Sequence, residues 1–192
     1  AMPDGRVLLA GGYTLLFGVL PVITDQAETY VPSPGLPGTV AGPFFMFSSR
    51  FGHEATLLQT GEVFLAAGAN GSDPFAPTEE LSWEIFDPVF GFSAAGPILH
   101  GRMRPSLDLL PDGRALLAGG AQGDFTAPIS IDECEIWDPV TQTMSLSAPL
   151  IDHRGSHQSL VLPDGTVLIS GGGQGWPGAI QASLGSLEIY QP

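Results

Sequence analysis

The stretch LLPDGRALLAGG, residues 109–120, reads as a tight Pro-Asp-Gly turn followed by an apolar run that closes on two glycines. Three close copies share the same chain: AMPDGRVLLAGG at 1–12, LLQTGEVFLAAG at 57–68 and VLPDGTVLISGG at 161–172. Aligned on the turn glycine, Gly5, Gly61, Gly113 and Gly165 fall at steps of 56, 52 and 52 residues. Glu28, Glu84, Glu135 and Glu188 follow those glycines by 22 or 23 residues, and Arg50, Arg102 and Arg154 precede theirs by 11. Three landmarks in fixed order, at a period near 50, define a tandem repeat, and the repeat has to be explained before any local motif.

Each unit reads as four strands. Strand a (HEATLL, PSLDLL, HQSLVL) enters the turn, and strand b follows it at 7–10, 63–66, 115–118 and 167–170. Strand b is almost wholly apolar, the pattern of a strand covered on both faces. Strand c carries Glu-x-aromatic, with Tyr30, Phe86, Trp137 and Tyr190, and ends at a proline. Strand d is weakest, at 90–96, 143–148 and loosely at 36–42. No helical period is present, so the chain is expected to be all-β. A twisted four-stranded sheet with two apolar faces cannot stand alone in water, whereas stacking such sheets around an axis covers both faces at once.

The Gly-Gly pairs that close strand b (Gly11-Gly12, Gly119-Gly120, Gly171-Gly172) and the aromatic on strand c resemble the kelch family, in the bacterial form found in galactose-oxidase-like propellers. The resemblance covers essentially the whole chain. It implies one kelch-type β-propeller domain of four consecutive four-stranded blades, at about 1–47, 48–99, 100–151 and 152–192. Gly12, Gly68, Gly120 and Gly172, with Glu28, Glu84, Glu135 and Glu188, are its structural repeat positions. The second unit departs from the doublet, with Ala67 before Gly68. Two blades are expected to be incomplete, the first without strand a and the fourth without strand d. That phase predicts either a fragment of a longer propeller or self-association of two copies into one larger ring. Bacterial repeats of this type are in keeping with a secreted or cell-surface location.

Six arginines and no lysine face 20 acidic residues, for a net charge of -14. Such a surface repels phosphate backbones, so nucleic acid is not an expected partner. The longest apolar stretch, 13–23, is too short to span a bilayer and is broken by Gly18 and Pro21, so no membrane partner is expected. Cys134 is the single cysteine and rules out both an intrachain disulfide and a cysteine metal cluster.

The b-to-c connections run to 14 or 15 residues and leave one end of the blades, where a propeller places recognition. They carry Leu15, Leu16, Phe17, Phe75, Phe125 and Trp176. Phe75, Phe125 and Trp176 are candidate ligand-binding residues for a protein or a carbohydrate. Arg50, Arg102 and Arg154 begin strand a on the same end, with His53 and His157 three residues later and His100 and His153 beside two of them. A ring of guanidinium groups would suit an anion, although recurrence in three units also fits an architectural task. Asp73, Glu79, Glu80, Asp124 and Asp132 match no calcium loop.

Resemblance to galactose and glyoxal oxidases implies a copper-radical site of two tyrosines, two histidines and a cysteine cross-linked to one tyrosine. The chain offers Tyr13, Tyr30, Tyr190 and Cys134, but no Tyr-His pair and no Gly-x-Ser-x-Gly elbow. The expectation is a non-catalytic binding propeller with no metal and no cofactor, acting through the long-loop face. Its alternatives are a fragment of an oxidase- or sugar-epimerase-like enzyme and a purely structural propeller.

Overall fold

The computed structural model describes residues 1–17, 20–71, 77–123, 128–174 and 182–192. They are all-β. The first unit holds β1 (Val7–Ala10), β2 (Tyr13–Leu16), β3 (Leu20–Ile23), β4 (Gln26–Ser33) and β5 (Leu36–Phe45). In the second, β6 (Glu54–Leu57) and β7 (Val63–Ala66) precede β8 (Ala69–Asn70), β9 (Thr78–Glu79), β10 (Ser82–Asp87) and β11 (Gly91–Pro97). The third repeats this plan with β12 (Ser106–Leu109), β13 (Ala115–Ala118), β14 (Ala121–Gln122), β15 (Ile129–Ser130), β16 (Cys134–Asp138) and β17 (Thr143–Ser147). The fourth has β18 (Gln158–Val161), β19 (Val167–Ser170), β20 (Gly173–Gln174), β21 (Ala182–Ser183) and β22 (Leu187–Tyr190).

Two four-stranded antiparallel sheets, β6-β7-β10-β11 and β12-β13-β16-β17, are flanked by three-stranded sheets β1-β4-β5 and β18-β19-β22. Each sheet follows chain order from one edge to the other, and the sheets stand side by side as blades. The inner strand β12 touches inner strands β6 and β18, while the outer strand β11 touches outer strands β5 and β17. The b-to-c connection of every unit contains a small hairpin: β2-β3, β8-β9, β14-β15 or β20-β21. These hairpins are a feature that the sequence pattern does not show: in the second, third and fourth units their strands have two residues and carry no periodicity, and in the first, β2 and β3 lie within one apolar stretch that shows no alternation.

Strand b is apolar throughout because its alternate side chains serve two different cores. On β7, Val63 and Leu65 pack toward the first blade with Met2, Met46 and Phe86, while Phe64 and Ala66 pack toward the third with Trp83, Leu117 and Trp137. On β13, Ala115 and Leu117 join that second cluster, and Leu116 and Ala118 enter a third with Ile136, Val167, Ile169 and Tyr190. Phe64 stacks on Trp137 with ring centroids 4.5 Å apart. The cores therefore lie between blades. In the end blades the expectation of two covered faces fails on one side: Leu9 on β1 is 53% exposed, and Leu187 and Ile189 on β22 are also exposed.

The second residue after strand b is a glycine in all four units, and the chain turns there. Gly12, Gly68, Gly120 and Gly172 have φ of +96°, +96°, +113° and +84°, in the left-handed region that side chains disfavour. A Cβ at Gly68 would sit 2.8 Å from the Phe51 carbonyl oxygen, whereas one at Gly12 would meet nothing within 4 Å. Gly68→Ala is accordingly expected to destabilise by about 2 kcal/mol or more and Gly12→Ala by about half of that, since only the first adds a collision to the backbone strain. Chemical denaturation of the two variants checks the order; equal losses would contradict it.

Candidate functional site

The three arginines are fully buried, and their terminal Nη groups are spent within the protein; Arg102 Nε donates to His100 O (3.0 Å), while Arg50 Nε and Arg154 Nε have no partner among the described residues. Arg50 donates from Nη1 to the carbonyls of Ala67 (3.0 Å) and Ser82 (3.1 Å), and from Nη2 to Ser82 Oγ (2.9 Å) and Glu84 Oε1 (2.5 Å). Arg102 repeats this on Gly119 O (3.1 Å), Glu133 O (2.6 Å) and Glu135 Oε1 (2.5 Å). Arg154 does so on Gly171 O (2.8 Å), Ser186 Oγ (2.9 Å), Asp152 Oδ2 (3.1 Å) and, as an ion pair, Glu188 Oε1 (2.9 Å).

The glutamates face the segment that crosses from the preceding blade. Glu84 accepts from the backbone N–H of Phe47 (2.8 Å) and Ser48 (3.1 Å), Glu135 from Leu99 (2.7 Å) and His100 (2.9 Å), and Glu188 from Ile151 (2.7 Å). The arginine carbonyls complete the tie: Gly12, Gly68 and Gly120 N–H donate to Arg50, Arg102 and Arg154 O, each at 2.8 Å. Each clamp thus holds its own blade through side chains and the preceding blade through the backbone. These arginines form no exposed ring for an anion. Their recurrence has an architectural cause, because a buried guanidinium needs all of these acceptors. Glu28, placed with the structural glutamates by its position in the repeat, differs from the other three: it is exposed, and its carboxylate has no hydrogen-bond or ion-pair partner among the described residues.

The histidines sit beneath the same layer. His157 is only 4% exposed, and its Nε2 is 3.1 Å from Ser106 Oγ on the preceding blade; His53 is half-buried. Burial, reinforced by the charges of Arg154 and Arg50, holds both imidazoles down to about 4, so both are neutral near pH 7. Neither faces a ligand surface with the arginines. Among the acidic residues, Glu80 is occupied by Asn70 Nδ2 and by Ser82 Oγ (2.5 Å), and Glu79 Oε1 accepts from Gly123 N (2.5 Å) of the next blade. Phe75, Phe125 and Trp176, with Asp73 and Asp124, lie outside the described residues.

The hairpins share one end of the blades and are rooted there. Bridges Phe51–Ala69, Met103–Ala121 and Gly155–Gly173 pin the bases of the second, third and fourth hairpins to the start of strand a, the first is held by Thr24 N–H on Gly12 O (3.1 Å) and Arg50 N–H on Thr24 O (3.2 Å), and Ser130 Oγ donates to Gly173 O (2.9 Å) of the next blade. Ile23, Phe51, Ala69, Met103 and Ala121 form a small apolar core under them. Above it the first hairpin presents Tyr13, Leu15, Leu20 and Phe17, the last 86% exposed, and β15 presents Ile129. The opposite, turn-bearing end holds a cleft of about 230 Å³ between the second and third blades, lined by Leu58, Gln59, Ile85, Asp112 and Trp137 among others. A concavity of about 360 Å³ lies on the first blade beside Gly11, Gln26 and Glu28. Neither hollow has a sequence signal, since each depends on which neighbour a residue lacks.

No family model and no curated protein matches the chain. Solved structures do. The structure of YjhT superposes with a TM-score of 0.73 at 17% identity, covering 90% of this chain and 57% of that one. A fungal alcohol oxidase of the AA5 family, solved in complex with copper, gives 0.72 at 19% identity, covering 100% of this chain and 39% of that one. Both are β-propeller folds, and the fold of this chain is of that class. The chain spans little more than half of the first of these proteins and about two fifths of the second.

The residues present do not fit a copper-radical centre. Cys134 is buried between the third and fourth blades, and burial pushes its thiol up to about 12. Tyr190 in the same cluster gives its hydroxyl to Ser147 Oγ (2.5 Å). Among the described residues no three His, Cys, Asp or Glu side chains come together to hold a metal.

The depressed histidines set an acid limit. Unfolded His157 takes a proton near 6.5, while in the fold it stays neutral down to about 4. The unfolded state therefore binds more protons in that window, so stability falls as pH drops from about 6.5 to 4 and is level above it. The His157 part amounts to about 3 kcal/mol at most. His157→Gln, which keeps a hydrogen-bonding group for Ser106, should flatten the acid limb of a plot of unfolding free energy against pH. An unchanged slope would show that His157 does not titrate on unfolding.

Proposed function

We propose that this chain is the blade-bearing part of a non-catalytic, kelch-type propeller that binds a protein ligand through the face built by the b-to-c hairpins. The observation that carries this reading is the exposed apolar group on a rooted base: Tyr13, Leu15, Phe17 and Leu20 on one hairpin and Ile129 on another, above the small core at Phe51 and Met103. Apolar side chains held in water by a braced backbone are the usual anchors of an interface, because little ordering entropy is lost when a partner covers them. The acidic surface favours a partner with a basic rim. A glycan is the second reading, supported by Phe75, Phe125 and Trp176, which the sequence places on three of the same connections. An oxidase reading after the copper-bound fungal enzyme is not adopted, because the chain lacks a Tyr-His-Cys constellation to carry it.

The test uses the purified chain as bait for the secreted and surface proteins of its source, followed by titration of each purified hit, with a glycan array in parallel. Leu15→Ser with Phe17→Ser should weaken a true protein ligand by roughly 10-fold or more, while Gln59→Ala at the turn-bearing end should leave it unchanged. Phe125→Ala with Trp176→Ala should abolish array binding if the glycan reading holds. Ligands lost through Gln59→Ala and indifferent to the hairpin variants would overturn the choice of face.

A further inference from the structure

The cleft of about 230 Å³ at the turn-bearing end lies between the second and third blades, which are both complete four-stranded sheets. Three features distinguish it from the repeat around it. The first is Trp137, which β16 delivers to its wall just ahead of the turn at 139–142. Trp137 is 1% exposed, and its Nε1 has no partner among the described residues. The same repeat position is Phe86 in the second blade, with no polar side-chain atom, and Tyr190 in the fourth, whose hydroxyl donates to Ser147 Oγ (2.5 Å). A buried indole N–H without an acceptor is costly, so the third blade holds an unmet donor that the other units avoid.

The second feature is a β-bulge. The pairing of β10 with β11 shifts between Ile85 and Phe86, so Ser93 is an extra residue between Phe92 and Ala94, whereas β16 and β17 pair without a break. Ser93, Ala94 and Ile85 all line the cleft, and a bulge is a device that re-aims side chains. The third is charge. Glu62 and Asp112 are on the lining, and no lysine or arginine is. Arg114 Nε holds Asp112 Oδ2 (2.7 Å), but Glu62 receives only the Thr60 hydroxyl, on Oε2 (2.8 Å).

We propose that this cleft binds an uncapped amino-terminal residue with an apolar side chain, from a peptide or a free amino-acid amide. The ammonium sits against Glu62 and Asp112, the side chain against Leu58, Ile85 and Ala94, and the carbonyl accepts from Trp137 Nε1. Other ligand classes fit less of the site. An anion is repelled by the two carboxylates, a hydrocarbon leaves the indole N–H unmet, and a neutral polyol sets hydroxyls on the apolar wall. A cation cannot use the indole face, because Phe64 stacks on Trp137 at 4.5 Å; the charge belongs with the carboxylates. The volume is below the roughly 300 to 1,000 Å³ of sites for drug-sized ligands, which suits one residue. Capture of a terminal amine is an established mode of peptide recognition. The cleft and the hairpin face are at opposite ends of the blades, so either reading can fail without the other.

Leucinamide titrated into the intact, ¹⁵N-labelled chain, followed by the tryptophan indole N–H signals, tests the proposal. The Trp137 signal, identified by its loss in Trp137→Phe or by sequential assignment if that variant does not fold, should move saturably while that of Trp83 stays in place. N-acetyl-leucinamide lacks the cation and glycinamide lacks the side chain; each should bind about 10-fold more weakly or worse. Glu62→Gln should weaken leucinamide by a similar factor and keep the parent melting temperature, since glutamine retains an acceptor for Thr60. Leucyl-glycinamide separates the sources: tighter binding than leucinamide identifies a peptide end, weaker binding a free amide. An unmoved Trp137 signal, equal binding of the acetylated compound, or an equal response to methyl glucoside would overturn the proposal.

Discussion

The buried arginine–glutamate pair is the constraint around which the described blades are organised. Each guanidinium is removed wholly from water and compensated by the repeat glutamate, joined at Arg154 by Asp152, and by two or more carbonyl or hydroxyl oxygens. Each carboxylate in turn takes backbone N–H groups from the segment arriving from the previous blade. Such a pair adds little net stability over a well-packed apolar substitute. What it confers is geometry, because a charged group with no water must find every one of its acceptors. An inter-blade crossing that slipped by one residue would strand a charge in the core.

Packing follows the same nearest-neighbour logic. Alternate residues of β7 and β13 feed the clusters on either side, so no blade owns a core of its own and stability accrues at the junctions. Where a junction is open, apolar groups stay in water: Leu9 and Tyr30 on the first blade, Leu160, Leu187 and Ile189 on the fourth. The same rule explains Glu28. It occupies the position of Glu84, Glu135 and Glu188, but no arginine reaches it among the described residues.

Much of the fold could be read in the chain because its signals are local. Gly12, Gly68, Gly120 and Gly172 mark a positive φ, the apolar run marks strand b, and the proline after the aromatic stops strand c in the second, third and fourth units, whereas β4 runs on through Pro32 to Ser33. What could not be read was partnership. Arg50, Arg102 and Arg154 look alike whether they face a ligand or a carboxylate; only the fold brings Glu84, Glu135 and Glu188 to them across 33 or 34 residues. The last three hairpins were invisible for a different reason, since two-residue strands are defined by the bridges they make. The hairpin face was singled out from the length and apolar content of the b-to-c connections. Its exposed members on β2 and β15 emerge from geometry, while Phe75, Phe125 and Trp176 lie outside the described residues.

The most direct test of the clamp is a double-mutant cycle on Arg102→Ala and Glu135→Ala, read as unfolding free energies in urea. If the pair organises the junction, each single change costs about 3 to 5 kcal/mol and the double change costs well short of their sum, with a coupling of about 2 kcal/mol or more. Additivity to within about 0.5 kcal/mol would mean that the two groups act independently, and the clamp would not be the constraint described above.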